Sequence, residues 1–504
     1  MEHFATIKTN VEPSWIAQCE QERLHLSSAI QPHGVFIGVA EDGRVIHVSA
    51  NVKDFLGTFE KLKLGDPAPA WLARLIPRIL PPKPGSRLAF DRTVIEGFER
   101  ALDIVTSRAV DGSVFLELFP IDGEKIPAAA NPLLMSQPGH PFEDAVPTSQ
   151  VALALAEQAI TLGVAELTGF QRVMYYRFRE DGDGEVVAEV RQGAAYGSYL
   201  GLRFPASDIP LISRKLYVLN SWRMIPDASA LPVPVCSLGA APDLTFVDLR
   251  SVSPVHQAYL ANMGVGASLS FPVVVRGELY ALIAAHRSNA CTLSHQVLQR
   301  AADRVYSHAV AVGKFSLGRR MQLVDKLANQ FIPLMPLLTD PIALPSHWSD
   351  IARSLCEIFE CDGASLILSD TVLTHGSTFD PIVQQIIQRY DSAQNQLVWL
   401  SDSLLRDIPE YPASEIAGAI VIRMGDTGTH GSLYMTRVEH VHEVAWGGNP
   451  DKPIEQSAGG LNISPRRSFE RWLQKRTGFS RQWTKEHRLF ALKLCALFNE
   501  RPAS

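Results

Sequence analysis

Residues 203–217, RFPASDIPLISRKLY, decide how the rest of the chain is read. They set one carboxylate, Asp208, between Pro205 and Pro210, whose rings hold φ near about −65° and keep the backbone around the acid out of a regular helix. Pro210 has no N–H and suits the start of a helix over residues 211–219. Asp208, Ile209 and Pro210 then form a strand-to-helix corner whose carbonyls are free to face a ligand. Asp208 as the N-cap of that helix is the plainer alternative.

Working outward, the residues before the corner read as strands and helices of sensory type. VFIGVA, EDG and RVIHVS, from Val35 onward, predict two strands joined by a turn at Gly43, followed by a short helix in ANVKDFLG. Residues 127–147, rich in proline and poor in periodic apolar positions, read as a linker. Thr148 and Ser149 are N-cap candidates for a helix through residue 170. FQRVMYYRF, EVVAEV, ASLSFPVVV and ELYALIAAH read as strands, the last two joined by a hairpin at Arg276 and Gly277. Residues 294–330 carry apolar side chains at three- and four-residue spacing, a helix of roughly 55 Å at 1.5 Å per residue that should pass from one module into the next. Gly313 and Gly318 are its weak points. Beyond it, Gly431, Ser432, Leu433 and Tyr434 echo Gly277, Glu278, Leu279 and Tyr280, a faint duplication implying that the second and third modules share a fold. Residues 439–479 are too long for an ordinary connection at about 40 residues. A last helix over residues 484–500 offers an apolar stripe for a second copy or an output domain.

Composition bounds the function. The chain has 504 residues, enough for about three domains at roughly 150 each. Hydrophobic residues at 46% and charged residues at 20% are those of an ordinary globular protein. With 47 basic against 53 acidic residues and a net charge of −6, no footprint for nucleic acid or an anionic membrane is present. The apolar runs are strand-sized, so no membrane-spanning segment is expected, and the N-terminus lacks a signal-peptide core. Cys19, Cys236, Cys291, Cys356, Cys361 and Cys495 form no CxxC, which suggests a reducing, cytoplasmic setting. His440 and His442 would share one strand face, but no third metal ligand is in register, so no metal site is expected.

Five stretches together resemble the phytochrome photoreceptors: IQPHG at residues 30–34, PASDIP at 205–210, RSVSPVHQAYLANMGV at 250–265, WGGNP at 446–450 and PRRSF at 465–469. The resemblance runs from Cys19 to about Trp472. It implies an α+β chain of three sensory modules with antiparallel sheets: an arm over 1–18, a PAS domain over 19–126, the linker over 127–147, a GAF domain over 148–320, and a GAF-like PHY domain over 321–504 with a tongue at about 439–479. It also implies that the segment around Ile30 threads a loop of the GAF domain.

The same resemblance implies a linear tetrapyrrole, since no amino acid absorbs red light. Plant-like members place the attachment cysteine where this chain has Val255. Cys19 matches the attachment position of the bacterial branch, whose pigment is biliverdin; on its own it would read equally as a free thiol. By resemblance the carbonyl of Asp208 faces the pyrrole N–H groups, Ile209 and Pro210 pack on the ring face, and His256 bonds the pyrrole system. Arg223 and Arg250 pair with the two propionates, while Tyr217, Ser268 and Ser270 donate hydrogen bonds. Met174, Tyr176, Phe204 and Tyr259 surround the ring that rotates, and His286 faces its carbonyl; Ala285 and Arg287 depart from the family word at that place. Arg466 and Ser468 alternate as partners of Asp208 while the tongue changes from strand to helix, and Trp446 and Trp472 exchange packing. The expectation is a red/far-red photoreceptor switching by double-bond isomerisation, a homodimer relaying to an output domain or response regulator. No catalytic motif occurs in these residues. A GAF-type sensor of a small metabolite is the alternative, and it would need neither Cys19 nor His256.

Overall fold

The computed structural model describes residues 23–56, 62–95, 101–120, 134–135, 145–192, 197–331, 334, 336–337, 343–368, 371–394, 396–424, 431–450 and 469–499. The expectations for residues 1–18, Cys19, Arg466 and Ser468 lie outside these residues. The chain divides into two units, one of residues 10–315 with 445–472, the other of 1–9, 316–444 and 473–504.

The first unit holds two sheets. One runs in the order Ala29–Ile30, Val233–Ser237, Val45–Ser49, Val35–Val39, Val114–Pro120, Leu102–Arg108, Arg87–Thr93, Leu134–Met135. Gly43, at φ 84°, makes the predicted turn between Val35–Val39 and Val45–Ser49. Every residue of Val35–Val39 is buried, because both faces of the sheet are covered. Ile37, Leu116 and Ile104 pack with Leu72 and Ile79 of helix Ala70–Ile79, while Phe36, Phe115 and Val105 pack with Leu244, Val247 and Leu249. Leu134–Met135 pairs with Arg87–Thr93, so residues read as pure linker supply an edge strand. At the other edge, Ser28 O and Ile30 bond or pair with Val235 and Val233, while Gln31 N–H donates to Leu249 O and Ser251 N–H to Ala29 O. The segment expected to thread a loop therefore lies between two arms of one excursion, bonded to both.

The other sheet orders Arg223–Ile225, Ala267–Val275, Glu278–Arg287, Arg172–Phe178, Gly184–Arg191 and Arg203–Phe204, and then Trp446 of strand His442–Gly447 pairs in parallel with Arg203. Its two faces follow the period of two. Val173, Tyr175, Leu269, Phe271, Ile283 and Ala285 meet helix Gln150–Thr168 and the first turns of helix His295–Phe331. Met174, Tyr176, Ser268, Ser270, Ala284 and His286 point to the opposite side. Arg276 and Gly277, at φ 54° and 80°, make the predicted hairpin turn. Ser149 caps its helix, its hydroxyl accepting from Ala152 N–H at 3.1 Å.

One expectation changes here. Helix Gln150–Thr168 is long and apolar enough, by length and composition, to cross a membrane, contrary to the reading of strand-sized runs only. Leu153, Ile160, Val164 and Ala165 bury against the sheet, and Glu157 within the helix pairs with Arg177, so its apolar character serves a core. Helix His295–Phe331 runs its full 37 residues with Gly313 and Gly318 inside it.

The second unit has a five-stranded sheet ordered Thr371–Gly376, Gly363–Leu368, Gly431–Val438, Ile416–Met424, Val398–Ser401. In both units the last strand of a hairpin lies beside the first strand of the preceding one, the duplicated order that the Gly-x-Leu-Tyr echo suggested. Helices Trp348–Phe359 and Lys485–Asn499 cover one face, and Pro381–Ser392 the other. Phe490, Ala491, Leu494 and Phe498 of the last helix are buried in this core. The stripe assigned to an outside partner is therefore spent within its own unit.

Candidate functional site

The corner that opened the reading has the expected shape with a different capping residue. A short 3₁₀ turn, Ala206–Asp208, follows Pro205 at φ −64° and ends in extended Ile209, at φ −127°. Pro210 caps helix Leu211–Leu219 from one position before it, so Asp208 is not its N-cap. The corner is held by a residue that the sequence reading missed. Arg214 donates from Nε to Ile209 O at 2.8 Å, and from one terminal nitrogen to Gly182 O at 2.8 Å and Ala206 O at 3.0 Å. Its guanidinium carbon stands 4.5 Å from the Phe178 ring centroid. Asp183 accepts from Ala206 N–H at 3.1 Å. One planar cation thus ties three turns of backbone, which a point charge on a flexible stem would not do.

A cavity opens against this corner, with about 1750 Å³ of empty space including its mouth. All fourteen described residues proposed as pigment contacts line it: Met174, Tyr176, Phe204, Asp208, Ile209, Pro210, Tyr217, Arg223, Arg250, His256, Tyr259, Ser268, Ser270 and His286. Val255 is in the wall, and so is Leu24, five residues after Cys19. The Tyr259 hydroxyl donates to Asp208 Oδ2 at 3.2 Å. His256 stacks on Tyr259 with centroids 6.1 Å apart, and Tyr259 meets Phe469 edge-on at 5.0 Å.

One wall is apolar and aromatic. Tyr176, Phe204 and Tyr199 touch in sequence, with centroids 5.9 Å apart at each step. Tyr199 was not foreseen; Arg172 lies 4.1 Å over its ring. Gly447 presses on this cluster, since a Cβ there would fall 2.5 Å from Phe204 Cζ. Trp446 beside it is buried, and Trp472 in strand Arg471–Arg476 is half-buried.

The other wall is cationic. Arg223 donates to Asp248 O at 2.9 Å, Arg250 O at 2.6 Å and Ser251 O at 3.0 Å. Arg250 reaches Leu244 O and Thr245 O, each at 3.3 Å. Burial, and the Arg223 charge, push Arg250 down to about 9; burial lowers Arg223 as well. Among the described residues neither guanidinium makes an ion pair, so an arriving carboxylate would reverse both shifts. His256 is held down to about 4 by burial and then by Arg223, and His286 to about 3 by burial, Arg172 and His256. Both are neutral at pH 7. His286 Nδ1 is buried without a hydrogen-bond partner among the described residues, a group that a ligand in the cavity would satisfy.

Behind the cationic wall lies a network absent from the sequence reading. Glu117 of strand Val114–Pro120 accepts from Leu249 N–H at 2.6 Å. Arg87 pairs with Asp248 at 2.5 Å, and His295 stands 3.6 Å from Asp103 and 3.9 Å from Asp248. Burial and then Asp248 push Glu117 up to about 8. His33 of the IQPHG word is lowered to about 4 by burial, Arg223 and His295. Arg87 and Glu117 of the first sheet thus hold Asp248 and Leu249, in the loop whose carbonyls take Arg223 and Arg250. Elsewhere, His440 and His442 stack at 5.5 Å, and no group of three metal ligands occurs among the described residues. Cys236 is exposed on strand Val233–Ser237.

Three family models match in succession along the chain. Residues 19–118 match the PAS fold, 156–307 the GAF domain and 337–500 the phytochrome region. A bacteriophytochrome of Pseudomonas aeruginosa is 30% identical over 502 residues, covering 96% of this chain and 66% of that protein. One of Xanthomonas campestris pv. campestris is 28% identical over 513 residues, 95% of this chain and 78% of that protein. The chain thus spans about two thirds of the Pseudomonas relative. Among solved structures, a bacteriophytochrome from the photosynthetic bacterium R. palustris matches with a TM-score of 0.75 at 28% identity, covering 96% of this chain and 98% of that one. The Stigmatella aurantiaca phytochrome photosensory core module matches with a TM-score of 0.76 at 27% identity, covering 97% and 98%.

Proposed function

Because this chain belongs to the bacteriophytochromes, as a light-sensing module of PAS, GAF and PHY domains with a bilin chromophore, we propose that the cavity takes biliverdin IXα, joined through a thioether to Cys19. The observation that carries this reading is the convergence of fourteen residues, scattered from Met174 to His286, on one cavity whose walls divide into apolar and cationic halves. Leu24 in that wall supports Cys19, since five residues of chain reach at most about 18 Å. No described cysteine lines the cavity, and Val255 stands where plant-like members carry theirs, which supports Cys19 as the attachment thiol.

When bound, the pigment supplies red absorption and a double bond whose isomerisation separates two states. The chain's own residues do the rest. The Asp208 carbonyl, braced by Arg214, offers an acceptor to the pyrrole N–H groups. Arg223 and Arg250 hold the propionates with Tyr217, Ser268 and Ser270 beside them, and neutral His256 and His286 donate or accept without adding charge. Met174, Tyr176, Phe204 and Tyr259 give the rotating ring an apolar enclosure, with Ile209 and Pro210 on the ring face.

The outward path begins at Asp208, passes Tyr259 and reaches Phe469, next to Ser468 and three residues from Arg466. In one state Arg466 pairs with Asp208; in the other Ser468 replaces it as the tongue refolds, with Trp446 and Trp472 exchanging places. The described tongue segments, His442–Gly447 and Arg471–Arg476, are strands. The signal then passes along the helices of a cytoplasmic homodimer to an output domain or response regulator. A small-metabolite sensor is not favoured, because the relatives and solved structures above are phytochromes.

Purified protein mixed with biliverdin in darkness should gain a red-region band that shifts on red illumination and returns afterwards. A colourless protein, or a band that light leaves unchanged, overturns this reading.

A further inference from the structure

In the second unit, helix Trp348–Phe359 ends with Glu360 in the left-handed region, at φ 49°. The N–H groups of Glu360 and Cys361 both close on Cys356 O, the latter at 3.0 Å. Such a helix ending folds the side chain two positions past the helix back onto the residue in its last turn. Here those two residues are Cys361 and Cys356. Both side chains enter one core, Cys361 within it and Cys356 packed against it. Arg437, itself buried, fixes the same turn by donating to Phe359 O at 2.9 Å and Glu360 O at 3.0 Å.

The two thiols are unequal in ways that matter for reactivity. Cys356 is half-buried, so a small oxidant can reach it, whereas Cys361 is in the core at 9% exposure. The neighbouring Cys361 thiol lowers the pKa of Cys356, against burial and the charges of Asp362 and Glu357. The Cys356 sulfur and burial raise the pKa of Cys361, and the Arg437 charge acts the other way. An accessible, more acidic sulfur beside a sheltered, less acidic one divides the roles of attacking and resolving thiol. Cys495, in the same core, instead directs its thiol to Arg423 O at 3.7 Å.

We propose that Cys356 and Cys361 form a reversible oxidation site that reacts with small peroxides to give an intramolecular disulfide. The Cys356 thiolate attacks the O–O bond of hydrogen peroxide; an S–O bond forms, the O–O bond breaks, and the departing hydroxide leaves as water after taking a proton. The Cys361 sulfur, losing its proton, then attacks the Cys356 sulfur; an S–S bond forms, the S–O bond breaks, and a second water leaves. Two thiols and one peroxide become one disulfide and two waters. A dithiol reductant reverses the change by exchange. The site uses no residue of the pigment cavity, so it stands or falls independently of the light reading.

The test uses the full chain, reduced, freed of reductant and treated with hydrogen peroxide at about equimolar dose, then alkylated. Digestion with a glutamyl protease cuts after Glu357 and Glu360, so the Cys356 and Cys361 fragments separate unless a disulfide holds them. The expected product is the joined pair of fragments, two hydrogens lighter than its reduced parts, which dithiothreitol separates. In Cys361→Ser the Cys356 sulfenic acid should accumulate and be trapped by a 1,3-diketone. Both cysteines fully alkylated after peroxide, or Cys356 joined to any other cysteine, would overturn the proposal. So would failure of Cys361→Ser to yield the trapped acid while its circular dichroism matches that of the parent.

Discussion

Replacing Gly447 by alanine tests the contact between the tongue strand and the GAF aromatic cluster. The added Cβ would lie 2.5 Å from Phe204 Cζ and 2.6 Å from Cε1. Comfortable carbon–carbon contact begins near about 3.5 Å, so the neighbours must separate by roughly 1 Å. Phe204 has little room to yield, being buried between Tyr176 and Tyr199, and Arg203 beside it pairs with Trp446. The strain therefore falls on the tongue strand. Overpacking of this kind costs about 1–3 kcal/mol, which multiplies the undocked population about 5- to 150-fold. Hydrogen exchange read by mass spectrometry should show that acceleration in peptides covering residues 444–450, with the amides of Ala267–Val275 unchanged. Phe204→Leu in the same background should recover part of the protection. Unaltered exchange in the tongue, or equal acceleration across the GAF sheet, would refute the reasoning.

Arg214→Lys loses the planar fork on Gly182, Ala206 and Ile209, and urea unfolding should show a loss of about 2–3 kcal/mol with the chromophore band broadened. Cys19→Ser should leave no pigment on the chain in a denaturing gel; retained colour would remove Cys19 from attachment. Asp208→Ala should keep the pigment attached yet block completion of the photocycle, and an unaltered cycle would exclude Asp208 from the switch. In the pigment-free protein, Glu117 keeps its proton up to about 8 when folded but loses it near 4.5 when unfolded, so its contribution to stability falls as pH rises through that window. Glu117→Gln should flatten the fall. His33, His256 and His286 act oppositely: neutral in the fold down to about 4, 4 and 3 against 6.5 unfolded, they cost stability as pH drops below 6.5. Denaturant titrations across pH should therefore peak between these limits, and a monotonic profile would contradict the assignment.

Much of this architecture could be read in the sequence because it rests on local signals. Period-two alternation in VMYYRF and SLSFPVVV separates core from cavity residues, and Pro205 and Pro210 announce the corner. What escaped notice depends on distant partners. Arg214 reads as an ordinary helix cation until Gly182 O, 32 residues away, is brought to it. Glu117 meets Leu249 across 132 residues, and Arg87 meets Asp248 across 161. The helix Gln150–Thr168 misled in another way, since burial inside a core and burial inside a membrane select similar side chains. The last helix likewise has a stripe whose partner, its own sheet, lies far back in the chain.

The pairing of Val45–Ser49 with Val233–Ser237 also bears on synthesis. His47 and Ser237, in register and bonded at 2.8 Å, are 190 residues apart. At about 5–20 residues per second, a ribosome needs roughly 10–40 s to deliver the second strand after the first. Throughout that wait the nascent PAS segment carries an open β edge, attractive to any neighbouring strand on the same polysome. Slower translation between the two would be expected to lower the yield of correctly assembled protein without altering a single amino acid.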